Sequence, residues 1–428
     1  MANNTIRLVE WSTIEVDLPK HAREGIAASV DRWTADNSLS APPLSFSGPE
    51  GKRLTATNFV GVVEAGGHAI EIYPKLDRSL LKGAAEITEG RQKSTMASLM
   101  WMLEVAQHDN IFEADTSGLE TAPSSFLDLW AALLAKNLHR ELQMGLARAY
   151  RPMEDNARTV RGRILFQEHV VQNCNRPDRI YCGWDEFTED RPLNRILKCA
   201  CRFLTNRVHN TDTQRLLFDC IAMFDEVEDI DVASALRQAD RIIWDRSMQR
   251  FKLPYKLAVR LLQSIGHEAF HGGQQTYVFL LDMNQVFEDY VGAVLEQTHQ
   301  VPVDQQRIIG HLFKAPSRIK QKPDFYWQKD DKAFVADSKY KPFFSWDAED
   351  ESDEGSQYFQ PNDVRQLICY GLMAGAEPDQ TELQIIYPCV GDPREVPQLE
   401  KTTFAGMKLK AIPIAVSRTY LAQNLIML

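Results

Sequence analysis

The stretch KPDFYWQKDDKAFVADSK, residues 322–339, decides how the C-terminal third folds. Pro323 to Trp327 and Ala333 to Tyr340 read as strands on either side of Asp330-Asp331, a pair suited to a two-residue hairpin loop. If those two residues form the loop, pairing runs outward from it and sets Asp324 opposite Asp337. Asp337 and Lys339 are two apart on one strand, so their side chains leave the same face. Two carboxylates and an ammonium are thereby expected to meet at one point.

Hydrolysis of a phosphodiester needs such a cluster. Hard oxygen ligands bind Mg²⁺, with Mn²⁺ able to substitute, and a lysine beside them orients water or offsets charge in the transition state. An exposed hairpin with ordinary surface charges would show the same spacing, so the flanking helices carry weight. Upstream, the helix expected over Asn284 to Gln297 has an apolar stripe of Phe287, Val291, Val294 and Leu295, with Glu288 at its edge as a third carboxylate. Downstream, the helix expected over Asp363 to Ala374 places Gln366 and Tyr370 four apart on one face. An amide and a phenol there can hydrogen-bond the lysine, a phosphate or the nucleic-acid backbone. The order Glu, PD, DxK, QxxxY within about ninety residues is hard to obtain by accident.

Working outward, the chain reads as an α/β multidomain protein. Residues 1–85 form an N-terminal β-rich domain, in which Asn58 to Glu64 and His68 to Tyr73 are strands joined by a turn at Gly66-Gly67. Residues 86–271 form a helical connector and partner-binding region, with apolar residues at three- and four-residue spacing over Met96 to Val105, Phe126 to Leu146, Leu193 to Val208 and Pro254 to Ser264. Arg151 to Asp190 interrupts it as an irregular segment. Residues 272–428 alternate helix and strand, ending with a strand at Leu383 to Tyr387.

Composition narrows the class. With 428 residues, 44% hydrophobic and 25% charged, the chain is an ordinary globular protein long enough for several domains. The start carries no leader-like pattern and no long apolar run follows, which points to the cytoplasm. Seven scattered cysteines without paired CxxC spacing suggest reduced, mostly buried thiols. A net charge of −11 argues against general attraction to a polyanion, so DNA would need a local basic surface or a partner to hold it. Lys314, Arg318, Lys320 and Lys322, just before the hairpin, are assigned to the DNA backbone. Arg148, Arg151, Arg158, Arg161 and Arg163 are assigned to partner contact. Either set has an alternative as a solvated face.

These blocks resemble the RecB-like branch of PD-(D/E)xK nucleases and, more closely, the McrC family, the nuclease subunits of McrBC 5-methylcytosine restriction systems. Asn58-Phe59-Val60-Gly61-Val62-Val63 with Ile70 to Lys75 is similar to that family's first block. Gly145 to Tyr150, Arg161 to Ile164 and Asp185 to Asp190 through Asn194, Leu197 and Lys198 are similar to its second. Phe279 to Val291 is similar to the opening of its nuclease domain, and the resemblance spans about residues 50 to 390. It implies a C-terminal restriction-endonuclease-like domain with Asp324 and Asp337 as metal ligands, Lys339 as the catalytic lysine, and Glu288, Gln366 and Tyr370 in support, with Glu288 also able to reach the metal. It further implies an McrB-like AAA+ GTPase ring as partner and double-stranded, modified DNA as substrate. The chain has no GxxxxGK[ST] phosphate loop, so no nucleotide site is expected on it.

Two rival readings remain. His267-Glu268-Ala269-Phe270-His271 is a formal HExxH zinc motif, with Glu268 as base and Glu288 as a third ligand, but Gly266 and Gly272-Gly273 on its flanks are poor for the long helix a zinc peptidase needs. The other rival is a noncatalytic activator of an NTPase ring. The acidic run Asp347 to Glu354 is expected to be a solvated loop.

Overall fold

The computed structural model describes residues 4–65, 67–76, 89–106, 126–266, 277–299, 302–313, 319–341, 359–374, 377–396 and 399–427. It divides the chain into two compact units, Met1–Leu129 with His267–Leu428, and Trp130–Gly266.

In the first unit the N-terminal strands do not stand alone. Phe59–Ala65 and His68–Tyr73 form the expected antiparallel hairpin. Asn4–Val9 adds in parallel to His68–Tyr73, and Tyr277–Asp282, from more than 200 residues later, adds antiparallel to Phe59–Ala65. The helix Lys20–Asp36 presents Ile26, Val30 and Trp33 to this sheet, where they pack with Leu8, Val63, Ile70, Ile72 and Leu280. Pairing at the seam is close: Gly61 sits at φ +145, and a methyl group there would run into the Phe279 carbonyl.

Strand Tyr277–Asp282 passes directly into the helix Met283–His299. Asp282 starts that helix, its Oδ1 accepting from Asn284 N at 2.9 Å and from Asn58 Nδ2 at 2.6 Å. The N-terminal hairpin therefore holds the first turns of the helix that carries Glu288. Tyr290 of the same helix is buried and donates to the Ala415 carbonyl at 2.7 Å.

The C-terminal segment builds a six-stranded sheet in the order Asp304–Gln305, Phe325–Lys329, Lys332–Ser338, Thr381–Cys389, Lys408–Ala415, Leu399–Thr402. Its middle three strands are parallel. Asp330 and Asp331 close the hairpin with φ +49 and +60, the left-handed pair of a type I′ turn. Phe325 pairs Ala336 and Trp327 pairs Phe334, the register read from the sequence. One face of the hairpin, with Tyr326, Ala333 and Val335, packs against Leu367 and Tyr370 of the helix Pro361–Met373. On the other, Trp327 and Phe334 stack with His299. The architecture is mixed α/β, as expected.

The second unit corrects one expectation. Arg151 to Asp190 is not irregular: Ala149–Ala157 pairs antiparallel with Ile180–Thr188, Arg163–Ile164 joins the other edge, and the helix Phe166–Asn173 lies between them in sequence. The period-two signal was hidden because this sheet is largely exposed, so few of its positions are apolar in alternation. Around the helix Pro192–Thr205, whose Leu193, Ile196, Leu197, Ala200, Cys201 and Leu204 are buried, the unit is helical as anticipated. All seven cysteines are free. Among the described residues no helix is long and apolar enough to cross a membrane.

The seam between Phe59–Ala65 and Tyr277–Asp282 is open to test. Gly61→Ala should lower the thermal midpoint of the chain, at a cost of about 1–3 kcal/mol for overpacking plus the strained backbone, as followed by circular dichroism. A midpoint equal to that of the unmodified chain would mean that this pairing is not formed.

Candidate functional site

The carboxyl end of the strand Lys332–Ser338 carries the cluster. Asp337 lies on the same face as Ala333 and Val335, beneath the helix Pro361–Met373, and is only 2% exposed. Lys339, two residues on, pairs with it through Nζ and Oδ2. The next step of the hairpin register sets Asp324 against Asp337, and Asp324 Oδ2 accepts from Ser338 N at 2.8 Å and Ser338 Oγ at 2.9 Å. Both hydrogen bonds fix the carboxylate to the strand that carries Asp337.

Glu288 reaches the same place from the helix Met283–His299. The amide of Gln306 donates to Glu288 Oε1 at 2.8 Å and to Asp324 Oδ1 at 3.2 Å, joining the two carboxylates. Gln306 stands in a left-handed conformation, φ +52, and its backbone N–H donates to the Asp324 carbonyl at 3.0 Å. Sequence reasoning missed this residue. Its contact depends on Asp304–Gln305 pairing with Phe325-Tyr326, a long-range fact with no local signature.

Gln366 and Tyr370 share a helix face as expected. Gln366 Nε2 donates to Tyr370 Oη at 2.7 Å, which leaves the phenol proton free to turn elsewhere. The Tyr370 ring packs with Ala333 and Val335, on the face that carries Asp337; burial raises its pKa against the lowering effect of Gln366, and the Asp337 and Asp324 charges add to the rise.

Charge is unevenly balanced here. Burial, then the Asp324 charge, pushes Asp337 up to about 7 from the usual 3.8 despite Lys339. Burial and Asp324 also raise Glu288. Burial works against the Lys339 ammonium, but Asp337, Asp324 and Asp363 outweigh it, and its pKa is raised. Three carboxylates around one ammonium leave an excess of negative charge and oxygen donors, the chemistry that suits a hard divalent cation. Among the described residues no three His, Cys, Asp or Glu side chains are already drawn into a closed cage. Mg²⁺ is commonly held by one or two carboxylates and retained waters, so an open donor set of this kind fits it.

A cavity of about 580 Å³ opens beside the cluster, lined by Glu288, Asp324, Ser338 and Lys339 and, from the N-terminal strands, by Glu10, Trp11 and Lys75. Glu10 is fully buried. Its Oε1 accepts from Lys75 N at 2.6 Å and from Tyr340 Oη at 2.6 Å, and Oε2 meets no donor among the described residues. Burial raises its pKa to about 8, against the lowering effect of those two donors and the Lys75 charge, while Asp282 adds a small raising effect. An acid inside the apolar run Leu8, Val9, Trp11 was the sequence signal for this residue.

The basic groups fall into two sets. Lys320 is exposed on a two-stranded ribbon, paired with His311, and exposed Lys322 follows it directly into Asp324; Lys314 and Arg318 lie outside the described residues. In the second unit Arg148 bonds Glu189 at 2.8 Å, Arg151 approaches Asp190 at 3.7 Å, and Arg161 lies over the Trp184 ring. Arg158 and Arg163 are exposed. His267, Glu268 and His271 of the zinc reading, the Gly272-Gly273 pair and the acidic run Asp347 to Glu354 all lie outside the described residues.

Fold and site together define a mixed α/β protein with an acidic, lysine-bearing cavity at the carboxyl ends of parallel strands, where open α/β sheets bind their ligands. Residues 54–388 match the family model of the McrBC 5-methylcytosine restriction system component, and the chain belongs to that family, with the McrC resemblance read from its motifs standing. A similar fold occurs in the refined half-complex from the tetradecameric assembly of Thermococcus gammatolerans McrB AAA+ hexamers with bound McrC, with TM-score 0.67 and 18% identity over 96% of this chain and 94% of that one. A chain of the T. gammatolerans McrBC complex is also similar, with TM-score 0.50 and 19% identity over 70% of this chain and 89% of that one. None of the curated proteins matches.

The raised acid at Glu10 sets a pH dependence. A carboxyl with folded pKa near 8 and ordinary value 4.5 holds its proton more tightly in the folded chain, so protonation stabilises the fold and the benefit disappears as pH rises through 8. In chelator, the thermal midpoint should therefore fall between about pH 5 and pH 8, and Glu10→Gln should flatten that slope. A slope left unchanged by Glu10→Gln would remove Glu10 as its source.

Proposed function

We propose that this chain is the endonuclease subunit of a modification-dependent restriction system, hydrolysing DNA phosphodiesters with Mg²⁺ and stimulating an McrB-type AAA+ GTPase ring. The meeting of Asp324 and Lys339 on one cavity, with buried Asp337 paired to Lys339 behind it, in a chain of the McrBC family, carries this reading. The order of helix, antiparallel hairpin, helix and parallel strand around the cluster supports a PD-(D/E)xK nuclease domain within residues 272–428.

Asp324 and Asp337, with Glu288 in reach, would hold the ion. When bound, it supplies polarisation of the phosphoryl group and acidification of a coordinated water. Lys339, held by Asp337 and by its own N–H to the Ile386 carbonyl at 2.8 Å, presents a fixed ammonium to the charge that develops on the phosphate oxygens. Gln306 keeps Glu288 and Asp324 together. Gln366 orients the Tyr370 phenol toward the cluster, from which it can hydrogen-bond Lys339 or a phosphate oxygen. Lys320 and Lys322 lead the DNA backbone to Asp324.

Partner contact is assigned to the exposed sheet of the second unit. Arg158, Arg161 and Arg163 share it with exposed Tyr150 and Phe187, and exposed Phe166, Val170 and Val171 continue the surface. Arginine and aromatic side chains left in water together are the composition of a binding interface. The solved assembly above contains McrB hexamers with bound McrC, and we assign this chain the same kind of partner.

Two experiments decide the matter. With the partner ring and methylated plasmid, Asp337→Ala should abolish nicking and cleavage while GTPase stimulation persists, Lys339→Ala should lower cleavage about 10²- to 10³-fold, and cutting should require added Mg²⁺ or Mn²⁺. Cleavage undiminished in Asp337→Ala would reject the site and favour a noncatalytic activator. Conversely, Arg161→Ala with Arg163→Ala should weaken GTPase stimulation; normal stimulation in that double variant would move the interface elsewhere.

A further inference from the structure

Four residues of the N-terminal segment, Val9-Glu10-Trp11-Ser12, form a turn closed by Ser12 N donating to the Val9 carbonyl at 3.2 Å. Trp11 occupies its third position with φ +57, where glycine or asparagine is usual. A bulky aromatic residue in the left-handed region is a true outlier, and such outliers gather at ligand sites. Burial does not account for the choice, because the indole is 61% exposed. Trp11 is also one of the residues lining the cavity that Glu288, Asp324 and Lys339 line.

We propose that Trp11 is a stacking platform for a nucleobase of the DNA strand being cut, making the Val9–Ser12 turn a nucleotide subsite of the catalytic cavity. The proposal rests on the nuclease reading above and adds a ligand contact from outside the hairpin motif. A cavity of about 580 Å³ has the size of a small-molecule pocket, with room for about one or two nucleotides of one strand. Stacking on the indole requires the base next to the scissile phosphate to turn out of the duplex stack at the moment of cleavage. Lys75 also lines the cavity, and its ammonium is the group we assign to the flanking phosphate.

The turn is rigidly tied to the chemistry. Glu10 N donates to the Tyr73 carbonyl and Trp11 N to the Thr57 carbonyl, while the Glu10 side chain accepts from Tyr340, the residue after Lys339. Moving the indole thus means moving the strand end that carries the lysine. Stacking on an aromatic ring is open to any base, since each has a π-face, so this contact positions a nucleotide without demanding a sequence.

The test uses the full chain with its partner ring, methylated plasmid, and duplex oligonucleotides carrying a single abasic nucleotide at successive positions around the mapped cut. Trp11→Ala and Trp11→Gly should each lower cleavage about 5- to 150-fold, mostly in KM, and Trp11→Phe should keep most of it. Trp11→Gly should at the same time raise the thermal midpoint, because glycine relieves the left-handed strain; a merely structural tryptophan would do the reverse. At one position beside the cut, an abasic nucleotide should cost the unmodified chain a similar factor and cost Trp11→Ala nothing further. If Trp11→Ala cuts normally while Asp337→Ala is inactive, the subsite is wrong and the nuclease reading stands. If Trp11→Gly lowers both midpoint and cleavage, and abasic losses add to those of Trp11→Ala at every position, Trp11 is structural and the subsite is likewise overturned. Cleavage by Asp337→Ala would remove the nuclease reading itself.

Discussion

The site depends on the register between Phe325–Lys329 and Lys332–Ser338. Because successive side chains on a strand alternate faces, a slip of one residue would turn Asp337 away from Asp324 and lift Val335 out of its packing with Leu367 and Leu383. Two independent constraints prevent that slip. Asp330 and Asp331 adopt the left-handed pair that a two-residue turn requires, and the apolar residues on each face have partners only in the observed register. The geometry of the cluster is thus held by hydrophobic packing, with the charged groups as passengers at the strand's end.

Those charged groups are under tension. Asp337 is buried under a helix beside Asp324, Glu288 is half-buried on the other side of Asp324, and one lysine does not offset three acids in so dry a place. The raised pKa values of Asp337 and Glu288 are the expression of that imbalance. Under the proposed nuclease reading a divalent cation would relieve that imbalance. Gln306 eases the same repulsion in part by giving both Glu288 and Asp324 an N–H to share.

What could be read in the sequence was whatever local pattern encodes. The hairpin loop, the register, the shared face of Asp337 and Lys339, the stripe of the Glu288 helix and the Gln366–Tyr370 pair all follow from periods of two and 3.6, and the fold contains them all. Contacts made by distant pairing were not legible. Gln306, the seam of Tyr277–Asp282 with Phe59–Ala65, and Glu10 beneath Tyr340 each join residues far apart in the chain. Lys408–Ala415 escaped notice for a different reason: Pro413 lies inside it, where proline normally argues against a strand, yet Pro413 pairs with Tyr387 in the parallel sheet. The exposed sheet of the second unit lacked the half-buried alternation by which strands are recognised.

The union of the N-terminal strands with the C-terminal segment bears on how such a site is kept. Glu10, a fully buried acid, and Trp11, a strained aromatic, both sit where a fold selected for stability alone would place an apolar residue and a glycine. Their neighbours make the arrangement tolerable: Leu8 and Val9 are buried in the sheet, and hydrogen bonds from Tyr340 and Lys75 satisfy one oxygen of Glu10. Residues 130–266 interrupt this unit in sequence without interrupting its sheet, since Tyr277–Asp282 returns to pair with Phe59–Ala65. A fragment beginning after residue 266 would therefore contain every residue of the hairpin motif and still lack one wall of the cavity, the strand partner of Tyr277–Asp282, and the Asn58 side chain that holds the start of the Glu288 helix.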